Sequence, residues 1–161
     1  MPTDNLARLA PQAHPARTWR FNDGGRKAAG FKGEVGDCVT RAIAIVTGQP
    51  YRRTYDELHA RSKAYAIAHR GKIAADPSPR NGVFKEVARP YLKDLGWTWH
   101  PTMQIGSGCK VHLRGNELPP GRLIVQVSRH LVAVIDGVIH DTHDCSRGGT
   151  RCVYGYWSAT A

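Results

Sequence analysis

The spacing of hydrophobic residues predicts an amphipathic helix that begins directly after Asp37. Asp is a favoured residue at a helix N-cap, and Gly48 followed by Pro50 is a typical stop signal. The apolar stripe of this helix, at intervals of three and four positions, consists of Val39, Ala42, Ile43 and Val46. Cys38 is then the first residue of the helix.

Two further helices are expected before the period changes. One runs from Tyr51 to about Arg70 and ends at Gly71, with apolar contacts from Tyr55, Leu58, Tyr65 and Ile67. The other runs from about 82 to 95, is kinked or interrupted at Pro90 and stops at Gly96. The first part of the chain is therefore predicted to be mainly helical.

From Trp97 onward, apolar and polar residues alternate as they do in strands. Turn residues separate the predicted strands, which are 97–100, 110–113, 122–127, 131–135, 138–141 and 152–157. Helices followed by an antiparallel sheet make an α+β domain. Residues 1–18 have no hydrophobic period and are expected to form a flexible tail, so the chain is divided into this tail and a single domain at 19–161.

The four cysteines are widely separated, and the N-terminus has no apolar run of the kind found in secretion signals. A reducing cytoplasm is therefore the expected compartment. No apolar segment approaches the roughly 20 residues that cross a bilayer, so a soluble protein is expected.

The chain has a formal net charge of +10, which predicts attraction to a polyanion such as nucleic acid, cell-wall polymer or an acidic protein. Part of the excess follows the second predicted helix, at Arg52, Arg53, Arg61, Lys63, Arg70 and Lys72. These six residues are interpreted either as a solvated helix face or as a binding patch. The chain lacks zinc-finger, RNA-binding and Walker motifs.

The position of Cys38 makes its thiol a candidate nucleophile. The positive end of the helix dipole and the unpaired backbone N–H groups at a helix start favour a thiolate, although Asp37 opposes it. A second charge partner is therefore needed.

The pair Asp136-Gly137, which lies between two apolar runs, predicts a hairpin whose register brings His130 near Asp141. In this register Val132 lies opposite Asp141 and the two polar residues are diagonal neighbours about 7 Å apart. The face that they share with Val132 is expected to pack against the cysteine helix. His130 would then take the proton of Cys38, and Asp141 would orient the imidazole ring.

These residues resemble the papain-like cysteine hydrolase superfamily, and they are most similar to NlpC-type cell-wall endopeptidases. In that family an Asp-Cys pair opens a helix, a histidine opens a strand and a polar residue follows one hairpin later, as do Asp37-Cys38, His130 and Asp141 here. The segment 22–157 also resembles small cysteine-protease-like proteins of phages and their bacterial hosts. The resemblance implies a papain-like fold in which the helix that carries the nucleophile packs on a C-terminal antiparallel sheet.

The resemblance also implies catalytic roles for Cys38, His130 and Asp141, no cofactor, and a peptide or protein substrate. The sequence departs from the family at Val39-Thr40, where Ser-Gly is common, and it lacks the glutamine that precedes the papain cysteine. The oxyanion donors considered instead are the backbone N–H of Cys38 and the side chains of Asn22, Arg26 or Lys32 in a glycine-rich loop.

Several alternatives stay open at this stage. Cys38 could be a buried core residue, and His143 competes with Asp141 as the partner of His130. Zinc ligands could come from His140, His143, Cys145 and Cys152, and nucleic-acid bases could stack on Trp97, Trp99, Tyr154, Tyr156 and Trp157. The expected function is a thiol hydrolase, a cysteine peptidase or amidase. The alternative is a non-catalytic basic protein that keeps the scaffold and holds nucleic acid or another polyanion.

Overall fold

The computed structural model describes residues 19–33, 36–70 and 77–159. The predicted tail and Lys72 lie outside these residues. Within them the helices are α1 (Cys38–Thr47), α2 (Tyr51–Ala68) and α3 (Lys85–Asp94). A short 3-10 turn at Pro79–Asn81 lies between α2 and α3. The strands are β1 (Trp19–Phe21), β2 (Trp97–Pro101), β3 (Arg122–Val127), β4 (His130–Ile135), β5 (Val138–Asp141) and β6 (Gly155–Ala159).

The strands form one sheet in the order β1-β5-β4-β3-β6-β2. Neighbours are antiparallel except that β1 runs parallel to β5, with Trp19 opposite Ile139. The expectation of an α+β domain is confirmed, whereas that of a purely antiparallel sheet is wrong at this edge. A strand of three residues is too short to show an alternating pattern, so the sequence carried no signal for it.

Other predicted boundaries also shift. The strand expected at 110–113 makes only an isolated bridge from His112 to Cys152, and the strand expected at 152–157 is found at Gly155–Ala159. Helix α3 begins at Lys85 and continues through Pro90. Ile67, expected in the core, is 63% exposed. The central strands are therefore predicted more accurately than the segments that surround them.

Helix α1 has the predicted bounds, but Asp37 does not cap it with its side chain. The Asp37 carboxylate accepts hydrogen bonds from Arg41 and from the Tyr51 hydroxyl instead. At the other end, Gly48 is left-handed with φ 72°, a conformation that glycine adopts without strain, and its N–H donates to the Ala44 carbonyl. The local stop signal thus works as expected, while the start is held by tertiary contacts.

The sheet is buried on both faces. One face packs against the helices through Ile124, Leu131 and Ala133, which contact the apolar stripe of α1. The other face carries Val132 and Val134 and is covered by loop segments. The expectation that the Val132 face packs against the cysteine helix is therefore wrong. Both faces of β4 are apolar, so alternation could not decide which one the helix covers.

Two of the four cysteines are joined, because Cys109 and Cys152 form a disulfide with a Cα–Cα distance of 5.8 Å. Their separation of 43 residues gave no sign of this pairing. Cys38 and Cys145 remain free thiols. None of the helices among the described residues is both long and apolar enough to cross a membrane.

Candidate active site

His130 and Asp141 meet because the hairpin has the predicted register. Asp136 and Gly137 both have positive φ, 48° and 79°, which is the backbone twist of a tight two-residue hairpin loop. Ile135 then pairs with Val138, and β5 ends at Asp141 beside the start of β4. His130 Nε2 lies 2.6 Å from Asp141 Oδ2. This hydrogen bond sets the orientation of the ring and leaves Nδ1 as its second polar atom.

Cys38 is half-buried at the first position of α1 and lines the same pocket as His130. Burial raises the pKa of the Cys38 thiol, but the interaction with His130 and its positive charge outweigh this effect, so the pKa falls below its ordinary value. Arg41 adds a smaller effect in the same direction. The surroundings therefore favour the thiolate.

His130 is shifted in the opposite direction. Burial lowers the pKa of the imidazole, but its hydrogen bond to Asp141 and its interactions with Cys145 and Cys38 raise the pKa to about 11. An imidazolium and a thiolate stabilise each other as an ion pair, so the two shifts belong to one coupled unit. At neutral pH the ring is therefore an imidazolium, which can donate a proton.

Asp141 is 3% exposed and is held by partners on three sides. The Thr142 backbone N–H donates to Oδ1 at 2.6 Å and Arg41 Nη2 donates to the same oxygen at 3.1 Å. Burial raises the pKa of this carboxyl, but His130, Thr142 and Arg41 together lower it to about 2. Asp141 is therefore ionised at neutral pH and accepts the hydrogen bond from His130.

Arg41 connects Asp37, directly before α1, with Asp141 at the end of β5, a link that was not predicted from the sequence. It is 8% exposed and pairs with both Asp37 and Asp141. Asp37 is also buried and receives Arg26 Nε at 3.3 Å and the Tyr51 hydroxyl at 2.6 Å. The spacing of four residues between Asp37 and Arg41 on a helix was the available signal, since such residues are neighbours on one face.

The other histidines near the hairpin are placed differently. His143 is largely exposed, with Nδ1 4.0 Å from Asp141 Oδ1, and its ring centroid is 5.6 Å from that of His130. His140 pairs with Ala133 and its Nδ1 lies 3.2 Å from Asn22 Nδ2. His143 therefore stands at the edge of the site, while His140 belongs to the opposite face, as its position in the strand predicted.

Two of the three side chains proposed as oxyanion donors have other partners. Asn22 contacts His140 and accepts from Gly24 N–H, and Arg26 reaches the carbonyls of Lys32 and Gly33. None of these side chains lines the pocket beside Cys38. Gln126, on the helix-facing side of β3, does line that pocket and was missed by the sequence analysis. Glutamine amides serve as oxyanion donors in other acyl-transfer sites.

A pocket of about 540 Å³ opens beside Cys38 and His130. Its lining includes residues between Asn81 and Leu92, several of them in α3, and residues of the turn between β3 and β4. Trp157 and Leu131 contribute to its lining. The nucleophile candidate and the base candidate thus share a cavity large enough for part of a peptide chain.

The structure removes some members of the two alternative sites predicted from the sequence. Cys152 cannot ligate zinc while it is bonded to Cys109. Trp97 and Trp157 are 7% and 2% exposed, so their rings fill the core instead of offering faces to bases. Among the described residues, a group that could hold a cation is His130, Asp141 and His143. Arg41 shares Asp141 with that group, and its charge opposes a metal ion there.

The cations of α2 are separate from this pocket. Arg61 pairs with Asp94 at 2.8 Å, and the Arg52 guanidinium lies 4.4 Å from the centre of the Phe31 ring. None of the described α2 cations lines the pocket. The described α2 cations therefore contribute nothing to the lining of this pocket.

Comparisons with protein-family models, curated proteins and solved structures find no match to this chain. The resemblance to papain-like hydrolases thus stays a prediction from short motifs. What the site itself shows is a half-buried thiol and a histidine that line one pocket, and a buried carboxylate that is hydrogen-bonded to the histidine.

Proposed function

We propose that the protein is a thiol hydrolase, a cysteine peptidase or amidase, that cleaves a peptide or amide bond through an acyl-enzyme on Cys38. The observation that carries the proposal is the position of His130 between two partners. Its Nε2 is hydrogen-bonded to the buried Asp141 at 2.6 Å, and its ring lines the same pocket as Cys38 and lowers the pKa of the thiol. A base oriented in this way is what activation of a thiol requires.

The reaction begins with the thiolate–imidazolium pair. The Cys38 sulfur attacks the substrate carbonyl carbon, and the carbonyl oxygen takes the electron pair of the π bond. When the intermediate collapses, His130 gives its proton to the departing amine, and a thioester to Cys38 remains. His130, now neutral, takes a proton from water, which attacks the thioester and releases the acid and the thiol.

The developing oxyanion needs donors in the pocket. The first backbone N–H groups of a helix have no intrahelical partner, so the N–H of Cys38 at the start of α1 is one donor. The Gln126 side chain, which lines the same pocket and is half-buried, supplies the second. No metal or organic cofactor takes part in this sequence.

The alkylation of Cys38 by iodoacetamide at pH 6 tests the proposal. A thiol with a pKa of about 8.5 is only about 0.3% ionised at this pH, so rapid labelling reports the ion pair. We expect fast labelling of Cys38, located by mass spectrometry, and a loss of at least about tenfold in His130→Ala, since one pKa unit changes the thiolate fraction by that factor.

His143→Ala is the matched control, because His143 also lines the pocket but does not hold the thiol. It should label at the unmodified rate. Labelling that is slow at every pH below 8 and indifferent to His130→Ala would contradict the hydrolase proposal. Salt-sensitive retention on DNA or RNA that Cys38→Ala leaves unchanged would then favour the non-catalytic polyanion-binding protein.

A further inference from the structure

The pocket beside Cys38 has an unbalanced charge. Its lining includes Arg41, Lys85, Arg89 and Arg129 and no aspartate or glutamate. Arg41 is neutralised by Asp37 and Asp141. The other three cations form no salt bridge with any carboxylate of the described residues. They are exposed at the rim, where a bound chain would reach them.

Two of these cations stand where local structure does not favour them. Lys85 is the first residue of α3, where the positive end of the helix dipole disfavours a cation. Arg129 has φ 55° in the tight turn before His130, a conformation that glycine or asparagine adopts more readily. The Arg89 guanidinium lies 5.3 Å from the centre of the Trp99 ring, which holds it beside the pocket. Helix and turn stability alone would not choose Lys85 or Arg129.

We propose that this rim selects a substrate chain bearing carboxylate groups, an acidic peptide, and holds it with Lys85, Arg89 and Arg129 against Cys38. The inference rests on the proposed hydrolase function and names its substrate class. Lys85 and Arg89 are four residues apart on one face of α3, and Arg129 joins the lining from the turn between β3 and β4. A chain bound in the pocket therefore meets positive charge from two separate elements.

A peptide fits these observations better than a nucleic acid. The pocket encloses the thiol, which acts on carbonyl carbon, and the nearby Trp157 is 2% exposed and unable to stack on a base. Trp99 is also engaged, with its ring centroid 5.4 Å from that of Trp157. Carboxylates need only the charge and the donors that lysine and arginine supply.

The test compares two alkylating reagents that differ only in charge, iodoacetate and iodoacetamide, at low ionic strength. The rate ratio of iodoacetate to iodoacetamide at Cys38 reports the potential in the pocket. In the double variant Lys85→Glu/Arg89→Glu we expect this ratio to fall by about threefold to tenfold, because each reversal moves two unit charges within a Debye length of the sulfur. Added salt should reduce the difference.

The matched control is Arg53→Glu/Lys63→Glu, which changes the net charge equally on exposed positions of α2 outside the pocket. It should leave the ratio nearly unchanged. The neutral variant Lys85→Gln/Arg89→Gln should give an intermediate ratio. An equal ratio in the rim variant and the unmodified protein, or an equal fall in the control, would overturn the inference.

A second arm identifies the occupant. A glutamate-rich peptide should protect Cys38 from iodoacetamide more strongly than the same peptide with glutamine, and the rim variant should lose the difference. Protection by a single-stranded oligonucleotide but not by the acidic peptide would overturn the proposal. Slow alkylation by both reagents at pH 6 would instead count against the hydrolase itself. The reagent ratio remains measurable at pH 9, so the two failures are distinguishable.

Discussion

Arg41 allows a quantitative test of how the site is held together. Replacement of Arg41 by methionine keeps most of the side-chain volume and removes a buried charge that two buried carboxylates share. Breaking a buried ion pair by removing one partner costs about 3–5 kcal/mol, because the remaining charge is desolvated without compensation. Asp37 keeps Tyr51 and Arg26, and Asp141 keeps His130, so we expect the lower end, about 3 kcal/mol.

The measurement is the free energy of unfolding, from urea titration at pH 7 and from thermal melting. For a chain of this size, about 3 kcal/mol corresponds to a fall in Tm of about 6–12 °C. The matched control is Arg61→Met, which breaks an ion pair of 2.8 Å to Asp94 on the surface. Exposed pairs contribute about 0–1 kcal/mol, so the control should lower the free energy of unfolding by less than about 1 kcal/mol.

The pH dependence gives an independent check. The folded pKa of Asp141 is about 2 and its ordinary value is 3.8. A carboxyl whose folded pKa is depressed stabilises the fold above its unfolded pKa, and the contribution is lost as pH falls through the folded pKa. In Arg41→Met the folded pKa of Asp141 rises, so the penalty should be full near pH 6 and shrink between pH 3.8 and about 2. A penalty below 1 kcal/mol, or one that is independent of pH, would refute this account.

Two further predictions concern the frame around the site. The Cys109–Cys152 disulfide closes a loop of 43 residues, so Cys109→Ser/Cys152→Ser should lower the free energy of unfolding by up to about 4 kcal/mol. The labelling of Cys38 at pH 6 should be retained. An unchanged midpoint in the urea titration would contradict this prediction. In Gly155→Ala, the new Cβ would lie 2.4 Å from two Trp99 ring atoms and 2.8 Å from the His100 carbonyl oxygen, so we expect a loss of about 1–3 kcal/mol in the same titration. Gly36→Ala is the control, since its Cβ would meet nothing closer than 3.5 Å, and equal losses in both variants would show that the contact with Trp99 is not responsible.

The parts of the fold that the sequence predicts are those encoded by neighbours along the chain. Helix α1 begins at Cys38 and ends at Gly48 because a polar start, a stripe of apolar residues and a glycine are all local signals. The Asp136-Gly137 loop sets its own hairpin register, and through it the pairing of His130 with Asp141. These residues are 11 apart, so one turn suffices to bring them together.

The remaining features depend on contacts between distant segments. The parallel strand β1, the disulfide and the packing of α1 on the Leu131 face join residues that no short pattern relates. Arg41 follows Cys38 by three positions in the sequence, yet only the packed structure brings Asp141 within 3.1 Å of its guanidinium. The rim of the pocket likewise draws Lys85 and Arg129 from separate elements. Periodicity and turn chemistry act over a few residues, whereas burial and charge pairing depend on which surfaces meet in three dimensions.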